Sequence, residues 1–257
     1  MNLSNNQLKY LKSLHLRKFR QKYHNFIVEG TKIASEVLSA GQLEVEGIFA
    51  LPGWIEANDD LLQSGIGQIV SITPEDLRKI SLLSTPNQVL LVVRQPDIRL
   101  DFQAMAGGLS LYLEDIRDPG NLGTILRVAD WFGIPWVFCS PNSVEVYNPK
   151  VIQSSMGAFL RVNCMEVEFE FLVKNLPGLP LFGTVLDGSS IFSSDLSDRG
   201  IVVIGNESQG ISEAVQQQLT HRISIPAGKQ GGAESLNAAV AAGIVCSVFN
   251  DFLEKSF

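Results

Sequence analysis

Apolar residues recur along this chain with two alternating periods, one helical and one extended, and the alternation divides it into two α/β units. From Gln7 to Lys22, Leu8, Leu11, Leu14 (or His15) and Phe19 fall three or four residues apart, which predicts an amphipathic helix with a basic outer side. Phe26 to Gly30 (FIVEG) reads as a short strand ending at a turn. Thr31 reads as the cap of a helix through Ala40, with Ile33, Val37 and Leu38 inward. Strand-like runs follow at Val45 to Leu51, Gln68 to Ile72 and Val89 to Val93. Before the last lies a helix capped at Thr73 with Pro74 in its first turn. Residues 1–95 thus form a small α/β unit. Pro96, Gly107 and Gly108, with mixed charge and no sustained period, make 96–108 a linker.

Residues 109–257 form a larger unit of the same kind. A strand at LSLYLED exits through DIRDPGNLG into the helix TILRVADWFG. Then come a strand at Trp136 to Cys139, a helix near Pro149 to Leu160 introduced by Asn148, and a strand near Arg161 to Cys164. A helix near Glu168 to Asn175 and the strands LFGTVL and IVVIGN follow. Ile223 to Val245 closes the pattern: Ile223 and Ile225 alternate with Arg222 and Ser224, and Pro226 ends the strand. Gly228, Gly231 and Gly232 permit close approach to a ligand, and a helix begins at Ser235 with Leu236, Val240, Ile244 and Val248 on one face. Strands separated by helices over this length predict a mostly parallel sheet with helices on both faces, and such sheets bind ligands beyond the carboxyl ends of their strands.

The net charge of −7 speaks against a polyanionic partner until its distribution is considered. Lys9, Lys12, Arg17, Lys18, Arg20, Lys22 and Lys32 face a single acid, Glu29, near the start of the chain, so the remainder is more acidic than the average. One basic end on an acidic body suits phosphate contact, with Arg17, Lys18 and Arg20 as candidate groups. A solvated helix face would show the same charges. Cys139, Cys164 and Cys246 are odd in number and far apart, so neither a disulfide framework nor a paired-cysteine metal site is expected. The start, MNLSNNQLKY, lacks the apolar core of a signal peptide, and the run from Leu236 to Phe249 is too short to span a bilayer. A cytoplasmic protein with no membrane partner is the expectation.

Three strand-exit loops could carry chemistry: DPGNLGTILRVAD, GNESQGIS and IPAGKQGGAESLN. No GxGxxG stands between strand and helix, and GxxxxGK[ST], HExxH and paired Cys/His ligand spacings are all missing. His15, His24 and His221 lie outside any triad motif. Nicotinamide, nucleoside triphosphate and metal chemistry are therefore disfavoured.

In this order the loops resemble the motifs of the SpoU (TrmH-like) branch of the SPOUT RNA methyltransferases. The first motif is matched by Asn121, Gly123, Arg127 and Ala129, and the second by Gly205, Asn206, Glu207 and Gly210. The third is matched by Ile225, Pro226, Ser235, Leu236 and Asn237. Gln153 to Val162 is similar to an intermediate helix and strand of that family, and residues 1–95 are more loosely similar to the ribosomal-protein-like RNA-binding domain of many members. The resemblance implies a deep trefoil knot in a mostly parallel sheet and a homodimer. It also implies methyl transfer from S-adenosylmethionine to a ribose 2′-hydroxyl, of ribosomal more than transfer RNA, without a metal. Arg127, Asn121, Glu207, Ser235 and Asn237 would then be catalytic. Thr184, Gly205, Asn206, Gly210, Ile225, Pro226 and Leu236 would hold the cofactor, and Arg17, Lys18 and Arg20 the RNA.

The residue types refine those roles. The family's activating role falls on Arg127, but a guanidinium has no acceptor, so stabilising a phosphate or an alkoxide suits it better than removing a proton. Read locally, Asn121 and Ser235 are N-caps, Glu207 is a turn carboxylate, and Gly205, Ile225 and Leu236 are turn and core residues. The loop between Pro226 and Ser235 is longer than in many members. The competing readings are a non-catalytic RNA-binding or assembly factor that keeps the fold, and a relative that methylates a base.

Overall fold

The computed structural model describes residues 3–62 and 67–256, with side chains to residue 252. Contacts divide the chain into two compact units, one of Met1–Asp97 with Tyr147–Leu160 and one of Ile98–Val146 with Arg161–Phe257. The first unit is thus completed by a segment that arrives from beyond the linker.

The first unit contains α1 (Asn5–Ser13), α2 (Arg17–Tyr23), β1 (Asn25–Glu29), α3 (Thr31–Ala40), β2 (Val45–Ala50), α4 (Pro52–Ala57), β3 (Gln68–Ser71), α5 (Pro74–Ile80) and β4 (Val89–Arg94). Its sheet has the order β1-β4-β2-β3, with β4 antiparallel to β1 and β2, and β2 parallel to β3. The run of apolar residues in β4 follows from burial on both faces. Val89, Leu91 and Val93 pack with Phe26, Val28, Ile48 and Trp54, whereas Leu90 and Val92 pack with Leu11, Leu14, Ile27, Phe49 and Leu77. Ile152 joins the first of these layers, and the Tyr147 ring lies 4.7 Å from that of Phe26.

Two expectations here need correction. The helix expected from Gln7 to Lys22 is two helices, because Leu16 is extended between them and Leu14 is fully buried at the corner. Thr31 is the first helical residue of α3 and not its cap, which is Gly30 at φ 118° with no side-chain hydrogen bond. Thr73 does cap α5, accepting from the Asp76 N–H at 3.1 Å.

The second unit contains α6 (Phe102–Ala106), β5 (Leu109–Leu113), α7 (Pro119–Trp131), β6 (Trp136–Cys139), β7 (Asn163–Glu166), α9 (Phe169–Asn175), β8 (Leu181–Ser190), β9 (Gly200–Ile204), α10 (Glu213–Gln216), β10 (His221–Ser224) and α11 (Ala238–Ser256); α8 (Pro149–Ser155) belongs to the first. All six strands are parallel, in the order β10-β8-β9-β5-β6-β7. The chain winds outward from β5 through β6 to β7, and β9, β8 and β10 lie on its other side. The order therefore reverses between β5 and β9, where such sheets bind ligands. Tyr112, Phe138, Ile201 and Val203 pack in one core layer with Phe169 and Leu172 of α9. Leu122, Ile125, Leu126 and Ala129 of α7 and Ala242, Val245 and Phe249 of α11 are also buried, and the Phe249 ring meets Phe182 edge-on at 5.1 Å.

The stretch taken for a linker holds α6, capped by Asp101, whose carboxylate accepts from the Ala104 N–H at 3.0 Å. α11 also departs from expectation. It begins at Ala238 instead of Ser235, and its buried positions are Ala238, Ala242, Val245, Cys246 and Phe249, while Leu236 and Val240 are exposed. Small residues at 238 and 242 let the helix approach its neighbours closely, so the larger apolar stripe is left outside.

Candidate active site

Three loops at the carboxyl ends of β5, β9 and β10 converge through their side chains. α7 starts earlier than expected, because Asp118 is its N-cap, accepting from the Asn121 N–H at 2.9 Å, and Pro119 occupies the first helical position. Asn121 is therefore not the cap of this helix, and its side chain is free for other work. Its Nδ2 donates to the Glu207 carboxylate, and its Oδ1 accepts from Asn237 Nδ2 at 2.9 Å. Asn237, and not Ser235, caps α11, its Oδ1 accepting from the N–H groups of Ala239 at 3.0 Å and Val240 at 3.3 Å.

The polarity of this relay is fixed from end to end. A carboxylate only accepts, so the Asn121 amide must turn its NH2 to Glu207 and its oxygen to Asn237. Asn237 must then turn its own NH2 to Asn121, which leaves its oxygen for the helix N–H groups. Neither amide can flip without losing a bond.

The backbone that carries Glu207 is held closely. Gly205 lies against the returning loop, so that a Cβ there would sit 2.5 Å from the Gly210 carbonyl oxygen and from the Ile211 nitrogen. Gly210 adopts φ +69°. Asn206 closes the turn, accepting from the Ser208 and Gln209 N–H groups at 2.9 and 3.1 Å, and its Nδ2 donates to the Asp115 carbonyl at 2.9 Å. Asn206 thereby ties the β9 exit to the β5 exit. Thr184 donates to the Val203 carbonyl at 3.0 Å, a bond between neighbouring strands.

The remaining candidates are not joined to the relay. Arg127 is exposed on α7 and makes no hydrogen bond or ion pair among the described residues. Six residues beyond Asn121, it lies roughly 120° around the helix axis, on the stripe of Thr124 and Trp131. Ile225 is half-buried, whereas Pro226, Ser235 and Leu236 are exposed. Between Ile225 and Asn237, the Gly231 N–H donating to the Gly228 carbonyl at 2.8 Å is the sole internal main-chain bond among the described residues. That loop therefore offers amide donors and acceptors together with the exposed Leu236 side chain, which suits a flat heterocycle and an amino acid moiety. The donor set fits S-adenosylmethionine. Among the described residues no cluster of His, Cys, Asp or Glu could hold a metal ion, and no helix is long and apolar enough to cross a membrane.

Of the three basic candidates, Arg17 and Lys18 are exposed on α2, with the Lys18 ammonium 4.8 Å from the centre of the Phe19 ring. Arg20 departs from the expected role: it is 2% exposed and donates through Nη1 to the Leu14 carbonyl at 2.7 Å, so its charge holds the corner between α1 and α2. Sequence reasoning also missed Asp118, although Asp-Pro before an apolar period is a helix-start signal. It missed Glu114 as well, which accepts from the Ser212 N–H at 2.9 Å and anchors α10. No local pattern announces a bond across so many residues.

A doubly wound parallel sheet with three polar loops gathered at its reversal point places a ligand site where open α/β sheets hold theirs. Residues 108–247 match the model of the SpoU rRNA methylase family, and residues 5–91 that of the MRM3-like substrate-binding domain. The chain belongs to the SpoU rRNA methylase family. It is 28% identical to the 23S rRNA (guanosine(2553)-2′-O)-methyltransferase RlmP of Bacillus subtilis, over 94% of either chain. A protein of Porphyromonas gingivalis, solved as a candidate RNA methyltransferase of the TrmH family, superposes with a TM-score of 0.87 at 35% identity, over 97% of this chain and 98% of that one. The AdoMet-bound rRNA methyltransferase of Sinorhizobium meliloti also superposes at 0.87, over 98% of this chain and 97% of that one. At 22% identity this is a likeness of fold.

Proposed function

We propose that the chain transfers a methyl group from S-adenosylmethionine to a ribose 2′-hydroxyl of ribosomal RNA. The observation that carries this reading is the relay from Glu207 through Asn121 to Asn237, which joins the three family motifs at the reversal point of the sheet. When bound, the sulfonium cofactor supplies an electrophilic methyl carbon. The chain's own residues must hold the hydroxyl in line and take up its proton as the new C–O bond forms. Ile225, Pro226 and Leu236, with the main chain of the glycine loop and of Gly205 to Gly210, hold the cofactor, and Thr184 fixes the strand beside it. Asn121 and Asn237 orient the ribose. Within the catalytic set Glu207 is the group able to accept a proton, through the carboxylate oxygen that Asn121 does not hold. Arg127, free of partners among the described residues, stabilises the developing alkoxide or the neighbouring phosphate, and Ser235 contacts the substrate at the rim.

Arg17 and Lys18 grip RNA phosphates from the first unit. A second copy of the chain covers Trp131, which is 83% exposed at the end of α7, and Val240, 51% exposed at the start of α11. The chain threads the family's trefoil knot and works in the cytoplasm. Mass measurement during gel filtration tests the dimer, which Trp131→Glu should convert to a monomer.

Calorimetric titration with S-adenosylmethionine, followed by methyl transfer to ribosomal RNA from cells lacking the gene, tests the activity. One cofactor per chain and a restored 2′-O-methyl mark are expected. Arg127→Ala should bind cofactor normally and abolish transfer; near-normal turnover in that variant would remove Arg127 from the site.

A further inference from the structure

The first unit holds a cavity lined by none of the residues assigned so far. It measures about 180 Å³ and lies between the first turn of α3, the loop before β4 and the end of α8. Several of its polar groups are left unused by the fold. Asn87 Oδ1 accepts from the Gln88 N–H at 2.9 Å, but the Asn87 NH2 group has no partner among the described residues, and neither has the Gln153 amide. Glu29, by contrast, serves the wall itself, accepting from the Ser81 hydroxyl and from the Leu82 N–H at 3.2 Å and so pinning the loop that supplies Leu83. Glu36 rests on Gly157, where a Cβ would come within 2.7 Å of the Glu36 Cδ.

Apolar walls come from Ile33, Leu83 and Met156, and Met156 is the informative one. It adopts φ +51° at the end of α8, a conformation that strains any residue with a Cβ, and its side chain is 54% exposed at the rim. A glycine would end the helix with less strain. The methionine side chain, flexible and polarizable, lines the cavity and is free to settle on the face of a flat ligand.

Unused amides beside apolar walls suit the edge and the face of a nucleobase. A phosphate fits worse, because two carboxylates, Glu29 and Glu36, outweigh the single cation of the lining, Lys32. We propose that this cavity receives one unpaired base of the RNA substrate, read along its edge by Asn87 and Gln153 and covered on its face by Met156. The proposal rests on RNA being the substrate, and it gives the first unit a part in choosing the target sequence.

The test is fluorescence anisotropy of the full-length protein with short labelled single-stranded RNAs that present each of the four bases, compared across wild type, Met156→Gly and Asn87→Ala. Wild type should favour one base. Both variants should lose about tenfold for that base and little for the others. The dependence on salt should be unchanged, since no phosphate contact is removed. Met156→Gly should melt at or above the wild-type temperature, so its loss of binding cannot be ascribed to unfolding. Equal wild-type affinity for all four bases, or variants that bind like wild type, would overturn the proposal. So would a uniform loss with a shallower salt dependence, which would mark a phosphate site. A protein that still methylates ribosomal RNA but fails these binding tests loses the base pocket alone; one that methylates no ribosomal RNA loses the underlying reading as well.

Discussion

Asn237 performs two tasks with the two ends of one amide, and two substitutions separate them. Its Oδ1 caps α11 through the Ala239 and Val240 N–H groups, and its Nδ2 donates to Asn121. Asn237→Ala removes both. Loss of an N-cap costs about 1 kcal/mol, and the exposed bond to Asn121 adds about 0.5 kcal/mol. For a chain of this size each kcal/mol lowers the melting temperature by roughly 2–4 °C, so a fall of about 3–6 °C is expected. Asn237→Asp keeps the cap and gains from a negative charge at a helix N-terminus, by about 0.3–1 kcal/mol. It sets a carboxylate against Asn121 Oδ1, however. Turning the Asn121 amide over only moves the conflict to Glu207, because one NH2 group cannot serve two carboxylates that face its opposite sides. Losing the Asn121 bond offsets about 0.5 kcal/mol of that gain, so the aspartate variant should melt close to wild type and yet transfer methyl at least about tenfold more slowly, the rate equivalent of a lost interaction of about 1.4 kcal/mol. Thermal melts run beside single-turnover transfer of labelled methyl to ribosomal RNA give both numbers. An aspartate variant with wild-type turnover would refute the relay, and one that melts like the alanine variant would refute the cap.

Other expectations follow from single contacts. Arg20→Ala should destabilise by about 1–3 kcal/mol, because the buried Leu14 carbonyl loses its donor. Arg17→Ala with Lys18→Ala should cost no more stability than exposed contacts do, about 0–1 kcal/mol, weaken RNA binding and reduce the log–log salt slope by about 1.4; unchanged binding with an unchanged slope would remove both from the RNA contact. Gly205→Ala should cost about 1–3 kcal/mol, the usual range for overpacking, and slow methyl transfer, since its Cβ would sit 2.5 Å from the Gly210 carbonyl oxygen and push Glu207 away from Asn121. An unaltered melt would show that the loop yields freely. Burial lowers the pKa of His15 from its ordinary 6.5, outweighing the opposing backbone hydrogen bond, so the native state prefers the neutral ring. Stability from this group is complete above pH 6.5 and is lost as pH falls through 6.5 toward the lower folded value. Denaturant titrations between pH 7 and 5 should show that decline in wild type and a flatter profile in His15→Gln.

Periodicity revealed the strands of both units because apolar residues in extended segments have few alternative explanations. The run from Val89 to Val93 reads as a strand, and the structure has β4 over Val89–Arg94. Helix starts were harder to read. Ser235 and Asn237 are both good caps two residues apart, and the choice between them is made by the Asn121 amide from far along the chain. The α11 stripe was misjudged for a related reason, since Ala238 and Ala242 bury better against close neighbours than Leu236 and Val240 do, a preference that a hydrophobicity count cannot register. Charge misled at Arg20, which resembles Arg17 and Lys18 in sequence but is buried and donates to the Leu14 carbonyl. The three motifs marked the loops that converge, but the direction of each hydrogen bond between them became visible only with the side chains placed.

The segment from Tyr147 to Leu160 bears on how the protein is made. Phe26 and Val28 leave the ribosome well before Tyr147, Ile152, Phe159 and Leu160, which complete the layer in which they pack. The first unit thus waits, with one side of its sheet short of cover, until residues 147–160 have emerged. Amino-terminal fragments cut at the 96–108 stretch should be sticky and short-lived, and carboxyl-terminal fragments should carry an orphaned helix. Excising either half for separate study should fail unless residues 147–160 travel with the first, and this return of the chain makes birth order a constraint on the evolution of both units.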